Sequence, residues 1–146
     1  MNKYCLFVIL VTSYLTGCTG SKSIANKEET MAASHMNIAD SLAAKSALRK
    51  ATNEYLLVAK QYPSTKYYTE AVYKTAVLYS NPLNQAANDS ASLYWFRVYL
   101  SLPNSTEQKE KATIYVTMLE RLKLLREELR KLREVDVQVN KRGTKK

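Results

Sequence analysis

Glycine, histidine and cysteine are scarce in this chain, and each scarcity excludes a class of site. The 146 residues contain three glycines, none between residues 21 and 142, so glycine-rich loops that bind nucleotide phosphates are excluded there. The single histidine, His35, has no second histidine or cysteine near it in the sequence, which argues against a zinc site and against histidine-assisted serine catalysis.

The acidic residues also argue against catalysis. They occur singly or as adjacent pairs such as Glu127 and Glu128. Neighbouring residues on a helix point about 100° apart, so such a pair does not converge on a substrate as an acid and a base would. We therefore predict a protein that is not an enzyme and has no catalytic residue, metal, cofactor or small-molecule substrate.

The N-terminus has the pattern of an export signal. Lys3 is followed by an uncharged stretch that lasts until Lys22, with an apolar core from Tyr4 to Leu15. As a helix this core would be about 18 Å long, short of the roughly 30 Å needed to cross a bilayer. The pattern predicts a signal peptide over residues 1–17.

Leu15-Thr16-Gly17-Cys18 resembles the lipobox of bacterial lipoproteins. The resemblance implies that the Cys18 thiol carries the lipid, including palmitate-type acyl chains, and that the chain is cut just before it. In that family an aspartate after the cysteine marks retention in the inner membrane, so Thr19 implies the periplasmic face of the outer membrane. Ordinary secretion, with cleavage near Gly17 or Gly20, is the alternative.

The remainder of the chain is predicted to be all-α, in one domain. Residues 18–36 are polar and weakly patterned, which predicts a flexible tether. From Asn37 onward apolar residues recur three and four apart, and three prolines interrupt them about every 20 residues. Ser105 and Gln108 have the spacing of a capping box. The predicted helices cover about residues 37–62, 66–79, 84 or 89–102, and 105–139, followed by a basic tail at 140–146.

A repeat is present at the ends of the first and third predicted helices. Two sets of residues share spacings of four, three and five and are shifted by 40 positions. They resemble the second half of a tetratricopeptide repeat, in which a small residue admits the paired helix, an aromatic ring fills the gap and a proline turns the chain. The resemblance implies about two repeats over residues 37–112, with these packing residues: Ala51, Tyr55, Val58 and Pro63, then Ala91, Trp95, Val98 and Pro103.

The last predicted helix carries a leucine-rich heptad seam. Its members follow one another at steps of three and four. The first half of the helix is predicted to cap the repeats, whereas the second half either packs within the chain or projects as a coiled coil that binds a partner. The seam consists of Tyr115, Met118, Leu122, Leu125, Leu129 and Leu132.

Aromatic residues crowd the two preceding helices. Adjacent aromatic residues on a helix cannot all face inward, so some are expected on the groove or outer face, where they anchor protein contacts. Tyr67, Tyr73 and Phe96 are the aromatic candidates for partner binding, beside Leu122, Leu125, Leu129 and Leu132 of the seam.

The net charge of +9 has two interpretations. A basic surface in a cytoplasmic protein would indicate nucleic acid, but an exported lipoprotein is not expected to bind it. The basic C-terminal tail is expected either to face anionic envelope components or an acidic partner, or simply to keep the chain soluble.

Two family resemblances point to function. The chain resembles the BamD-like outer-membrane assembly lipoproteins over about residues 47–112. The resemblance rests on Tyr62-Pro63-Ser64 followed by Tyr68 and Ala71, and on the similar segment Leu102-Pro103-Asn104-Ser105. Those proteins are longer arrays of tetratricopeptide repeats beside the β-barrel insertase. The leucine-rich segment 119–142 is similar to QseG-like lipoproteins, which accompany sensor histidine kinases.

The sequence therefore predicts a non-enzymatic, lipid-anchored adaptor that binds another envelope protein. A β-barrel assembly component is the first candidate partner, and a membrane sensor kinase is the alternative.

Overall fold

All secondary structure in the described part of the chain is helical. The structure, a computed structural model, describes the backbone of residues 19–103 and 106–143 and the side chains of residues 24–103 and 106–138. The predicted signal peptide, Cys18 and the capping residue Ser105 lie outside these residues. In the described residues five helices follow one another in packed hairpins, which confirms the all-α prediction and is consistent with a tetratricopeptide-like fold. They are α1 (Thr19–Ala44), α2 (Leu48–Gln61), α3 (Tyr68–Ser80), α4 (Asp89–Ser101) and α5 (Thr106–Gly143).

The chain divides into two compact units, residues 1–71 and 72–146, with the boundary inside α3. The first unit is built on a hairpin of α1 and α2. The second contains most of α3 together with α4 and α5, and it holds the candidate binding surface.

The prediction of a flexible tether is wrong for residues 19–36, because they form the first part of α1. Ala32, Met36 and Ala39 are buried in the hairpin, and the Tyr62 hydroxyl donates a hydrogen bond to the Met31 sulfur at 3.9 Å. The spacing of four and three is a helical period. Because alanine supplies two of the three buried positions, the apolar signal in the sequence is weak.

The helix predicted over residues 37–62 is interrupted at Ser46, and all but the last of residues 36–45, the candidate first helix of the first repeat, belong to α1. This residue has a φ of 58°, in the left-handed region. The Ser46 amide donates to the Ala43 carbonyl at 2.9 Å and the Ala47 amide donates to Leu42 at 2.9 Å. These are the two hydrogen bonds of a Schellman motif, which usually has glycine at this position. The motif ends α1 and lets α2 fold back on it.

Ser46→Gly is therefore expected to stabilise the chain by about 0.5–1 kcal/mol. The left-handed conformation costs a residue with a Cβ about 1–2 kcal/mol, part of which the greater backbone entropy of glycine offsets. Urea unfolding monitored by circular dichroism measures the change. Ser41→Gly, inside α1, is the control and is expected to destabilise by up to about 1 kcal/mol. An unchanged or lower midpoint for Ser46→Gly would contradict this account of the turn.

The buried face of α4 is one residue out of the predicted register. Ala51, Tyr55 and Val58 are buried in α2. In α4, however, Ala91 and Val98 are only half-buried, and the most buried residues are Ser92, Phe96 and Tyr99. This second set keeps the spacing of four and three but is shifted by 41 positions, not 40. Trp95 is also buried, whereas Pro63 lies exposed in a turn and Pro103 is exposed after the end of α4.

Side-chain hydrogen bonds hold α3 and α4 together. The Ser92 hydroxyl donates to the Ala76 carbonyl at 2.8 Å, which a larger residue at either position would prevent. In the connecting loop, the buried Asn84 amide donates to the Leu78 carbonyl at 2.8 Å. Asn88 caps α4 by accepting from the Ala91 amide at 3.0 Å. The helix therefore begins at Asp89, the later of the two predicted starts.

Candidate protein-binding surface on the last helix

The N-terminal half of helix α5 packs one of its faces on α4. Ala112 and Leu119 are buried, and the Tyr115 ring stacks on Phe96 with centroids 4.8 Å apart and planes at 12°. Buried pairs seven residues apart recur along the chain, at Ala32 and Ala39 in α1, Ala71 and Leu78 in α3, and Ala112 and Leu119 in α5. The first half of α5 thus has the same spacing of buried residues as α1 and α3, each of which is the first helix of a hairpin.

Two ion pairs fix α5 along α4 in an antiparallel direction. Arg97 Nη2 lies 2.7 Å from Glu120 Oε1, and Arg126 pairs with Asp89 in the first turn of α4. Residues 127–143 continue beyond the start of α4 for about 26 Å of helix at 1.5 Å per residue. Every residue from 120 to 138 is exposed, so this part of α5 presents its side chains to solvent.

An apolar stripe runs along a second face of α5. Its members follow at steps of three and four and are between 42% and 62% exposed, over about 27 Å of helix. At 100° per residue the stripe lies about 110° around the helix from the face that packs on α4. We call this the exposed stripe, and it consists of Ile114, Met118, Leu122, Leu125, Leu129 and Leu132.

The predicted seam is therefore divided between two faces. Tyr115 is half-buried against Phe96, while Met118 and the four leucines are exposed. Ile114, which is not part of the predicted seam, extends the stripe by one turn. It lies four residues before Met118, so the same helical spacing leads to it.

Two clefts flank the ion pair between Arg126 and Asp89. One has a volume of about 730 Å³ and is lined on its apolar side by Leu93, Leu119 and Leu124. The other, of about 670 Å³, lies between α5 and the loop that precedes α4, where Leu122 faces it beside Pro82 and Ala87. Leu122 of the stripe thus lies beside a cleft in the packed part of the unit, and Leu129 and Leu132 lie on the free part of α5.

Three charged side chains on the free part of α5 neutralise one another. Arg130 binds Glu127 at 2.6 Å and also pairs with Glu134. The hydrogen bond from Arg130 lowers the pKa of the Glu127 carboxyl, and the same contact raises the pKa of the Arg130 guanidinium. These residues lie away from the exposed stripe and keep the opposite side of the helix solvated.

The aromatic candidates are placed differently from the prediction. Phe96 is fully buried, so the prediction that it contacts a partner is wrong. The reason is the shifted register of α4, which turns Phe96 toward Tyr73 and Tyr115. Tyr73 is half-buried, with its ring centroid 5.0 Å from that of Tyr99. Tyr67, also half-buried, lies under the Lys66 ammonium at 5.0 Å.

The cluster of Tyr73, Tyr99 and Tyr115 predicts a loss of stability at high pH. Burial, and secondarily the neighbouring Tyr115 hydroxyl, raises the pKa of Tyr73, and burial raises the pKa of Tyr99. A phenol with a raised pKa in the folded state stabilises fully below its unfolded pKa of about 10 and loses that contribution as pH rises through the folded pKa. The urea midpoint is expected to fall above about pH 10, and less steeply in Tyr73→Phe. Equal slopes in both proteins would refute the assignment.

The polar groups of the first unit join its two helices. His35 Nδ1 lies 2.7 Å from Glu54 Oε2, and its ring stacks on Tyr62 with centroids 6.1 Å apart. Asp40 accepts a hydrogen bond from the Tyr55 hydroxyl. Among the side chains of residues 24–103 and 106–138, no three histidine, cysteine or acidic groups come together as metal ligands would. His35 is thus part of the packing between α1 and α2.

Neither a membrane-spanning helix among the described residues nor a match to a known protein was found for this chain. Within the described ranges, no helix has the length and hydropathy needed to cross a bilayer. No family model, curated protein or solved structure matches the chain.

Proposed function

We propose that this protein is a non-enzymatic, lipid-anchored adaptor of the bacterial envelope, and that α5 binds another envelope protein. The observation that carries the proposal is the exposed stripe, because a long apolar row on an exposed helix is characteristic of a protein-binding face. Full burial of an exposed leucine contributes about 1.5–3 kcal/mol. The four leucines of the stripe are 42–62% exposed, so burying what is exposed of each contributes about half of that.

The packed half of α5 supports this role by holding the stripe in place. The Phe96–Tyr115 stack and the ion pair of Arg126 with Asp89 tie the helix to α4. A binding surface already ordered before association loses less conformational entropy when it binds.

The N-terminal resemblance supports an envelope location. A diacylated Cys18 would attach the chain to a membrane, and two lipid signals suffice for stable anchoring. With Thr19 after the cysteine, we place the protein on the periplasmic face of the outer membrane. Helix α1 would then begin beside the anchor, since its first residue is Thr19.

The first candidate partner is a component of the β-barrel assembly machinery, in keeping with the BamD-like resemblance of residues 47–112. A second candidate, a membrane sensor kinase, is favoured by one observation. The segment with the QseG-like resemblance, residues 119–142, contains the four leucines of the stripe, all exposed.

Recovery of the partner tests the proposal. The lipidated, full-length protein is purified from its own membranes after mild cross-linking, and the proteins that accompany it are identified. Assembly components would support the first candidate and a sensor kinase the second. Absence of any specific cross-linked envelope protein would contradict the adaptor role.

The anchor itself is tested by Cys18→Ser. We expect metabolic labelling with palmitate to be lost and the protein to leave the membrane fraction, because the thiol is the atom that carries the lipid. Cys5→Ser is the matched control, since Cys5 lies in the segment that would be removed and its loss should leave labelling intact. Labelling that persists without Cys18 would overturn the assignment.

A further inference from the structure

We infer that the exposed stripe binds an amphipathic helix of another protein that carries carboxylates along both edges of its own apolar row. The inference rests on the proposed function and specifies the chemistry of the partner. It follows from those arginines of the second unit whose side chains the structure describes, which divide into two groups according to their partners.

Three of these arginines are neutralised within the chain. Arg97 pairs with Glu120, Arg126 with Asp89, and Arg130 with Glu127 and Glu134. Arg121 and Arg133, by contrast, make no ion pair with any residue that the structure describes, although both side chains are described and exposed. Since guanidinium remains charged at any physiological pH, these are two uncompensated positive charges.

The two unpaired arginines border the exposed stripe on opposite sides. At 100° per residue, Arg121 lies about 60° to one side of the stripe axis and Arg133 about 60° to the other. In heptad terms Leu122 and Leu129 occupy a positions, Leu125 and Leu132 occupy d positions, and the arginines are at g and e. Charges at e and g positions determine which partner a helix accepts.

A second copy of this chain fits this pattern poorly. In a parallel pair, Arg121 would face Arg126 of the other copy, which already binds Asp89, and Asp136 would meet its own counterpart at the next a position. In an antiparallel pair centred on the four leucines, Arg133 would likewise face Arg126. Glu128 supplies a favourable contact in either arrangement, but each arrangement leaves one of the two unpaired arginines without a carboxylate, which disfavours that pairing. Carboxylates on both edges of a different helix would instead meet both arginines and bind them in bidentate fashion.

The test uses two synthetic helical peptides of about four heptads. Both have leucine at a and d positions, and they differ in having glutamate or lysine at every e and g position. Binding of each labelled peptide to the detergent-solubilised, full-length protein is measured by fluorescence anisotropy. We expect the acidic peptide to bind at least about tenfold more tightly than the basic one, with an affinity that falls as salt is added.

Charge reversal provides the decisive comparison. The double variant Arg121→Glu/Arg133→Glu is expected to reverse the preference between the peptides. Lys123→Glu/Lys131→Glu makes the same change in net charge on the other side of α5 and should leave the preference unchanged. Circular dichroism establishes that both variants remain helical.

Several outcomes would overturn the inference. They are equal binding of both peptides, an unchanged preference in the arginine variant, and sedimentation of the free protein as a dimer that Leu125→Glu dissociates. Binding to vesicles of anionic lipid but to neither peptide would also refute it. If the peptides fail while the wild-type protein still captures an envelope partner that Leu125→Glu loses, the proposed function stands and only the acidic helix is refuted.

Discussion

Replacement of Leu125 by glutamate is expected to abolish capture of the partner protein while leaving the fold unchanged. Leu125 lies in the middle of the exposed stripe and is 48% exposed. A carboxylate there would be desolvated in any helical interface, so we expect binding to fall by more than about tenfold. In the free protein the same carboxylate is solvated, and substitutions at such surface positions usually change stability by less than about 0.5 kcal/mol.

Leu124→Glu is the matched control for this experiment. Leu124 is 65% exposed, and its replacement makes the same chemical change one residue away, about 100° around the helix. We expect this variant to retain the partner. Cross-linked recovery measures binding, and thermal unfolding followed by circular dichroism measures stability. Global unfolding of Leu125→Glu would show that the stripe belongs to the core, and equal loss with both variants would show that the interface is not confined to it.

Phe96→Ala should cause a larger loss of stability than any of the other substitutions, about 3–5 kcal/mol. Phe96 is fully buried and contacts Tyr73 on α3 and Tyr115 on α5, with centroids 6.0 Å and 4.8 Å away. Its removal leaves a cavity where three helices meet, and the surrounding side chains can fill such a cavity only partly. The free energy of unfolding is obtained from urea titration.

Tyr94→Ala supplies the comparison for Phe96→Ala. Tyr94 lies on the same helix but is 59% exposed, with its ring edge against Trp95 at 5.1 Å. We expect a loss below about 1 kcal/mol, since little apolar area is removed. Losses of similar size for the two variants would contradict the inward orientation of Phe96 on α4.

The sequence alone does not determine which face of α4 is buried. Trp95 and Phe96 are adjacent aromatic residues, and Ala91 and Ser92 are adjacent small ones. Either set satisfies the spacing of four and three, so the pattern alone permits both shifts. The choice depends on the hydrogen bond from Ser92 to Ala76 and on the ring stack of Phe96 with Tyr115, both of which join residues distant in sequence.

Helix α1 shows a second limit. The composition of residues 19–36 is polar, and polar segments with weak patterning often form linkers. Its buried positions are mostly alanines, which contribute little to an apolar pattern but allow α2 to approach closely. Packing against α2 stabilises this helix beyond what its own amphipathicity indicates.

The exposed stripe could be predicted in part. Its leucines were identified from their heptad spacing, but the same spacing fits a buried face equally well. The structure decides between them, because Ala112 and Leu119 are buried and the leucines beyond are exposed.

The sequence by itself determined that this chain is helical, where its prolines separate the helices, and that leucines form a row on the last one. These properties depend on local spacing and backbone chemistry, which are legible along a single chain. The tertiary structure decided that residues 19–36 pack as a helix, that Phe96 faces inward and that the leucine row faces outward. Burial is a relation between elements, and a helical period indicates that a face exists without indicating what covers it.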